Sequence, residues 1–294
     1  MQLTRQQLLL LAFLTLIWGL NWPVMKLGVT HFPPLSFRAL SIWLGLPVLG
    51  GVMLALKTPF FVPRHSYREL FWLSLTNMVL WNVLIILAVS HLSSGRAAIL
   101  AYTMPIFSAL LGAWFFGARM NPRNWLGVAA AALGVGLLLW YELTHLSGRP
   151  LAVLGALVAA ALWALGTQQL RRTRIGVATL TLSFWMTVLT AVVLSVLAVA
   201  LERPQWKAPG PAAWAAIGYN AVLVFGFTQA AWMTLARGLP PIASTLSVMM
   251  IPVIGVFSGA LALGEVLHWQ DWTAVALMVV AIASVLAPGR TAAT

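Results

Sequence analysis

Residues 97–117 read AAILAYTMPIFSALLGAWFFG, and residues 244–264 read STLSVMMIPVIGVFSGALALG. Neither run contains a charge, and each is long enough to cross the roughly 30 Å hydrocarbon core of a bilayer as a helix. Both are rich in small residues, carry one proline (Pro105, Pro252), and close twelve residues later on a glycine (Gly117, Gly264). The runs lie 147 residues apart, half of the 294-residue chain. An internal duplication of membrane-spanning segments is the simplest reading.

The rest of the chain agrees. Hydrophobic residues make up 61% and charged residues 7%, with a mean hydropathy of +0.94. An ordinary soluble domain carries roughly 25% charged residues. A water-soluble protein this apolar could not cover its own surface. The 17 Lys and Arg against 5 Asp and Glu do not indicate nucleic acid, because the basic residues sit singly or in small groups between apolar runs. With no cysteine there are no disulfides, thiolate metal sites or thiol nucleophiles.

Reading between charges and Pro/Gly breaks gives ten spans, at about 8–29, 34–56, 69–90, 95–117, 123–141, 151–170, 177–200, 211–235, 239–263 and 271–288. The predicted fold is an all-α integral membrane protein with short loops and no room for a soluble domain. The first span passes through Trp18, Trp22 and Pro23 with no small-x-small cleavage site, so it reads as a retained helix rather than a signal peptide.

With the N-terminus in the cytoplasm, the inner side holds Arg5, Lys57, Arg64, Arg68, Arg119, Arg123, Arg171, Arg172, Arg174, Arg237 and Arg290. The outer side holds only Lys26, Arg38, Arg96, Arg149, Arg203 and Lys207. The positive-inside rule therefore places both termini in the cytoplasm. Four of the five acids (Glu142, Glu202, Glu265, Asp271) fall on the outer side.

At the 147-residue offset, Leu35-Ser36-Phe37 meets Leu182-Ser183-Phe184, and Trp125 meets Trp272. Trp18 meets Trp163 at the nearby offset of 145. The halves are 1–146 and 147–294. Five spans is an odd number, so the second half enters the membrane from the opposite side. Such an inverted repeat is common among secondary transporters, whose halves exchange roles in alternating access.

These features resemble the EamA-type members of the drug/metabolite transporter superfamily. The resemblance rests on two five-helix halves and on the fourth helix of each half, with its central Pro and closing Gly. The family pattern ends that helix in Gly-Glu; the second half keeps Gly264-Glu265, whereas the first has Gly117-Ala118-Arg119. Arg38, in Leu-Ser-Phe-Arg, matches a further family habit, and its repeat mate is Trp185. More narrowly, the chain looks like the YddG-type exporters of aromatic amino acids. The resemblance implies ten helices around a central cavity lined by the first, third, fourth, sixth, eighth and ninth, and export of small metabolites.

The mid-spans contain no Asp, Glu or Lys; they hold neutral polar and aromatic residues instead. Trp18, Asn21, Trp22 and Met25 share one face of the first helix. Trp163 and Thr167 share a face of the sixth, with Gln168 beside them. Two tryptophans at matching depths could sandwich a planar side chain, or they could simply pack. Asn77, Trp81 and Asn82 lie on the third helix, and Tyr219, Asn220, Thr228 and Gln229 on the eighth. Amides in hydrocarbon need partners, either another helix or a substrate.

The fourth helix offers Tyr102 and Pro105, and the ninth Ser244, Ser247, Met250 and Pro252. A mid-membrane proline leaves one carbonyl without its helical donor and permits bending. Pro105 and Pro252 are therefore the candidate helix-break or gating residues, and the others candidate substrate contacts. Glu265 reads as a gate or as a helix-end charge. Lys26 reads as snorkelling outward. Small residues along helices five and ten suit close packing. No His pairs at metal spacing, so no cofactor or metal is expected. The expected partners are a small-molecule substrate and membrane lipid, not nucleic acid, and the expected state is a monomer. A nucleotide-sugar carrier would want central basic residues, and a membrane-embedded enzyme a nucleophile with a base; neither is visible.

Overall fold

The computed structural model describes residues 4–117, 120–144, 150–228, 231 and 241–286. Among them every regular element is helical. In chain order these are α1 (Arg5–His31), α2 (Pro34–Ala55), α3 (Arg64–His91), α4 in two pieces (Ser94–Ala101 and Met104–Phe116) and α5 (Pro122–Thr144). There follow α6 (Pro150–Leu170), α7 (Thr179–Glu202), α8 (Pro211–Thr228), α9 (Pro241–Leu263) and α10 (Trp269–Leu286). Among the described residues seven helical stretches are long and apolar enough to cross a membrane, and Met250–Leu263 and Trp269–Ser284 are shorter apolar helices.

Local chemistry sets the helix ends. Thr4 and Gln7 form a reciprocal capping box that opens α1. Proline, whose missing N–H costs nothing in a first turn, opens α2, α5, α6, α8 and α9. The free N–H groups of α2 are capped from α7. Glu202, itself buried, accepts from Leu35 N (2.8 Å), Ser36 N (2.7 Å) and Ser36 Oγ (2.7 Å). At the other end of helices, α4 and α9 are each followed by a glycine with positive φ, +64° at Gly117 and +65° at Gly264. Only glycine takes that left-handed turn without strain.

One irregularity recurs about 147 residues further along the chain. Residues Leu75–Val79 of α3 form a π-helical segment, and so do Asn220–Thr228 of α8. Adding 147 to 75–79 gives 222–226, inside the second segment. The two prolines, in contrast, behave differently. α4 breaks at Tyr102–Thr103, just before Pro105, whereas α9 runs unbroken through Pro252.

Most packing runs between the halves. α5 lies along α10, α2 along α7 and α8, α1 along α9 and α8, and α6 along α3 and the second piece of α4. The core includes Phe37, Ile85, Ile86, Ile99, Leu100 and Leu138, all buried. The outside of the bundle is apolar too: Leu261 is 87% exposed, Leu151 81% and Trp114 71%. Water would not tolerate so much exposed hydrocarbon, but lipid would. Trp43 and Trp185 also look outward, with their indole N–H groups on Ser195 Oγ (2.9 Å) and the Phe60 carbonyl (2.7 Å).

Candidate functional site

Two helix crossings, one between α6 and α3 and one between α1 and α8, hold the aromatic residues picked out in the sequence. Where α6 meets α3, the rings of Trp163 and Trp81 lie 5.0 Å apart at 57°. One turn on, Asn77 Nδ2 donates weakly to Thr167 Oγ1 (3.4 Å). Gly166 permits the approach, since a Cβ there would lie 2.7 Å from the backbone of Asn77. Where α1 meets α8, Trp18 Nε1 donates to Thr228 Oγ1 (3.2 Å). Trp18 meets Trp163 at an offset of 145 and Trp81 meets Thr228 at 147, so the two crossings use nearly equivalent positions. Tyr219 adds a bond from α8 to the Ile17 carbonyl of α1 (2.7 Å).

Asn21 sits one turn from Trp18 on α1. It is 7% exposed, and its Oδ1 is buried without a hydrogen-bond partner. Such an atom costs roughly 1–3 kcal/mol unless something satisfies it. Trp22 is buried against Gly255 and meets Tyr102 edge-on at 6.3 Å, so it packs within the core of α1, α4 and α9. Tyr102 is buried at the break in α4. Pro105 returns no N–H to the Ala101 carbonyl, which therefore lacks its helical donor.

The other sequence candidates fall in different surroundings. Gln168 spends both ends of its amide on protein: Nε2 donates to Ser108 Oγ (2.9 Å) and the Ser108 carbonyl (3.1 Å), and Oε1 accepts from Arg172 (2.6 Å). It ties α6 to α4. Met250 is 46% exposed. Gln229 and the side chains of Ser244 and Ser247 lie outside the described residues. Lys26 caps the end of α3, donating to the carbonyls of Val89 (3.1 Å) and Ser90 (3.2 Å). Among the described residues no three His, Asp or Glu side chains gather as a metal site.

One cluster was not assembled by sequence reasoning. Arg38, only 4% exposed, reaches from α2 to both irregular helices. Its Nε donates to Asn82 Oδ1 of α3 (2.8 Å) and its Nη1 to Asn220 Oδ1 of α8 (2.9 Å). The guanidinium carbon lies 5.0 Å from the ring centre of Phe225. Asn82 and Asn220 are held in turn by the carbonyls of Met78 and Ala216. No carboxylate pairs with this cation among the described residues. Asn82 adjoins Trp81, and Asn220 adjoins Tyr219, so Arg38 fixes both helices that contribute to the crossings. The signal was present as an arginine in an apolar span and two amides elsewhere, but spacing along the chain does not join three helices.

A family model matches the chain twice, over residues 6–140 and 150–287, which together span nearly its whole length, and its description is the EamA-like transporter family. The chain belongs to this family. Relatives of this EamA-like transporter include the uncharacterized transporter YoaV of Bacillus subtilis (strain 168), 25% identical over 85% of this chain and 86% of YoaV. The uncharacterized inner membrane transporter YedA of Escherichia coli (strain K12) is 26% identical over 92% of this chain and 87% of YedA. A probable amino-acid metabolite efflux pump of the same strain is 28% identical over 56% of this chain and 53% of the pump. A crystal structure 19% identical in sequence superposes with a TM-score of 0.67, covering 96% of this chain and 98% of the other, which supports the fold alone. This EamA-like chain is thus a multi-pass membrane protein of a transporter family.

Proposed function

We propose that the protein exports small neutral or zwitterionic metabolites across the inner membrane by alternating access, and that its substrates carry an aromatic or large apolar group, as the aromatic amino acids do. The observation that carries this reading is Asn21, a buried amide oxygen without a protein partner one turn from Trp18. A buried acceptor of this kind suits a ligand N–H or ammonium group, and the tryptophan rings of the two crossings suit a planar side chain. Trp18, Trp81 and Trp163 would contact the apolar part. The Ala101 carbonyl, which receives no N–H from Pro105, would be a second acceptor.

Ten spans arranged as two inverted repeats, 1–146 and 147–294, are the architecture proposed around this site. The double family match, the paired π segments and the matching glycine turns support it. Both termini are placed in the cytoplasm by the excess of inner Lys and Arg. The protein works as a monomer, and its chemistry is transport, with no cofactor.

Asn21→Leu separates this reading from a purely structural role. Removing an unsatisfied amide should leave the melting temperature unchanged or higher, while export of a toxic aromatic amino-acid analogue falls roughly ten-fold or more. Cells producing wild-type protein should tolerate the analogue and cells producing Asn21→Leu should not. Full tolerance from the folded variant removes Asn21 from the site.

A further inference from the structure

The first turn of α4 is held by two carboxylates from the other half of the chain. Glu265 accepts from Ser94 N (2.7 Å), Ser94 Oγ (2.9 Å) and Gly95 N (3.4 Å). Asp271 accepts from Arg96 Nε (2.7 Å) and Nη2 (3.2 Å). Beneath them α4 and α9 touch with little between. A Cβ on Gly95 would lie 3.0 Å from Val256, and one on Gly255 3.0 Å from Ala98. Gly259 leaves the space that the carboxylate of Glu265 needs, since a Cβ there would lie 2.6 Å from Glu265 Oε2.

In an inverted repeat the corresponding positions fall at the opposite end, after α4 and at the start of α9. Moving each residue by 147 shows what that end has to offer. Glu265 becomes Ala118, Asp271 becomes Asn124, Ser94 becomes Pro241 and Arg96 becomes Ala243. None of the four keeps its chemistry. Two gates of equal strength would leave the two closed forms nearly equal in free energy; unequal gates bias the protein toward the form in which the stronger one is shut.

We propose that the Glu265–Ser94 and Asp271–Arg96 contacts latch the outer gate, that the residue types at the repeat-related positions cannot form the same latch at the inner end, and that the protein therefore rests closed to the outside. This rests on the orientation and alternating-access reading above. Because the chain contains no cysteine, Val256→Cys, buried at the seam opposite Gly95, supplies a single thiol. In intact cells this thiol should react slowly with a membrane-impermeant maleimide. Adding Glu265→Gln should speed the reaction roughly ten-fold or more, because the neutral amide is a weaker acceptor than the carboxylate. Asp271→Asn tests the same hold through Arg96 and should also speed it, including where Glu265→Gln fails to accumulate. Unchanged rates in the folded variants overturn the latch.

Ala208→Cys, exposed between α7 and α8, reports the orientation separately. It should label in intact cells. Labelling only after permeabilisation would place this end in the cytoplasm. That result refutes the orientation, and the outer gate with it, whatever the rates at Val256→Cys.

Discussion

Arg38→Met should cost the folded protein about 2–5 kcal/mol, read as a lower unfolding temperature of the detergent-solubilised protein and a smaller monodisperse yield. The methionine fills similar space but leaves Asn82 Oδ1 and Asn220 Oδ1 buried without their donor. Each abandoned acceptor costs roughly 1–3 kcal/mol. Arg38→Lys should recover only part of the loss, because a single ammonium on a flexible stem does not reproduce a planar fork reaching two helices. Replacing Asn82 and Asn220 by leucine along with Arg38→Met should restore more stability than Arg38→Lys does, since no polar group is then stranded. An Arg38→Met protein that unfolds at the wild-type temperature would show that the cluster does not join α2, α3 and α8.

Trp163→Ala has its effect on transport. The Trp163 ring is half-buried and its aromatic neighbour is Trp81, 5.0 Å away, so truncation removes one wall of the proposed pocket. Aromatic anchors of binding sites are worth about 2–4 kcal/mol on truncation, which is roughly a 30- to 1,000-fold loss in apparent affinity. The unfolding temperature should fall much less than in Arg38→Met. Trp163→Phe should regain part of the transport, because a ring still faces Trp81. The kinetic split distinguishes the roles: a substrate contact raises KM, whereas a packing residue lowers the amount of folded protein at constant KM. Wild-type KM and maximal rate in Trp163→Ala would exclude this residue from the site.

The sequence reading succeeded where chain-local chemistry decides. Uncharged runs mark the helices, prolines mark their starts, and Gly117 and Gly264 mark two ends, because each effect acts within a turn or two. The spacing of Pro105 and Pro252 from those glycines pointed to the repeat. It could not show that α4 breaks while α9 does not, since that depends on what packs against each helix. The π segments were equally hidden. In helices apolar on nearly every face, a shift of hydrogen-bond register leaves no trace in the hydrophobic pattern.

Side-chain partners were the least legible. Gln168 and Asn21 look alike in sequence, as amides in apolar spans that also carry a tryptophan, yet Gln168 is spent on Ser108 and Arg172 while the oxygen of Asn21 is left without a partner. Glu265 had two readings, and its bonds to Ser94 make it a cap on α4 reached from the other half of the chain. Lys26 caps α3, which a snorkelling cation read from one helix does not anticipate.

Flux of labelled tryptophan and phenylalanine through proteoliposomes of the purified protein tests the proposed function most directly, with alanine and glutamate as comparisons and with and without a pH gradient. Saturable flux of the aromatic amino acids, weak flux of alanine and glutamate, and loss of flux in Trp163→Ala and Asn21→Leu are the expected results. Folded protein that carries none of the four, or carries alanine and glutamate as fast as tryptophan, would contradict the aromatic-substrate site built around Asn21 and the paired tryptophan crossings.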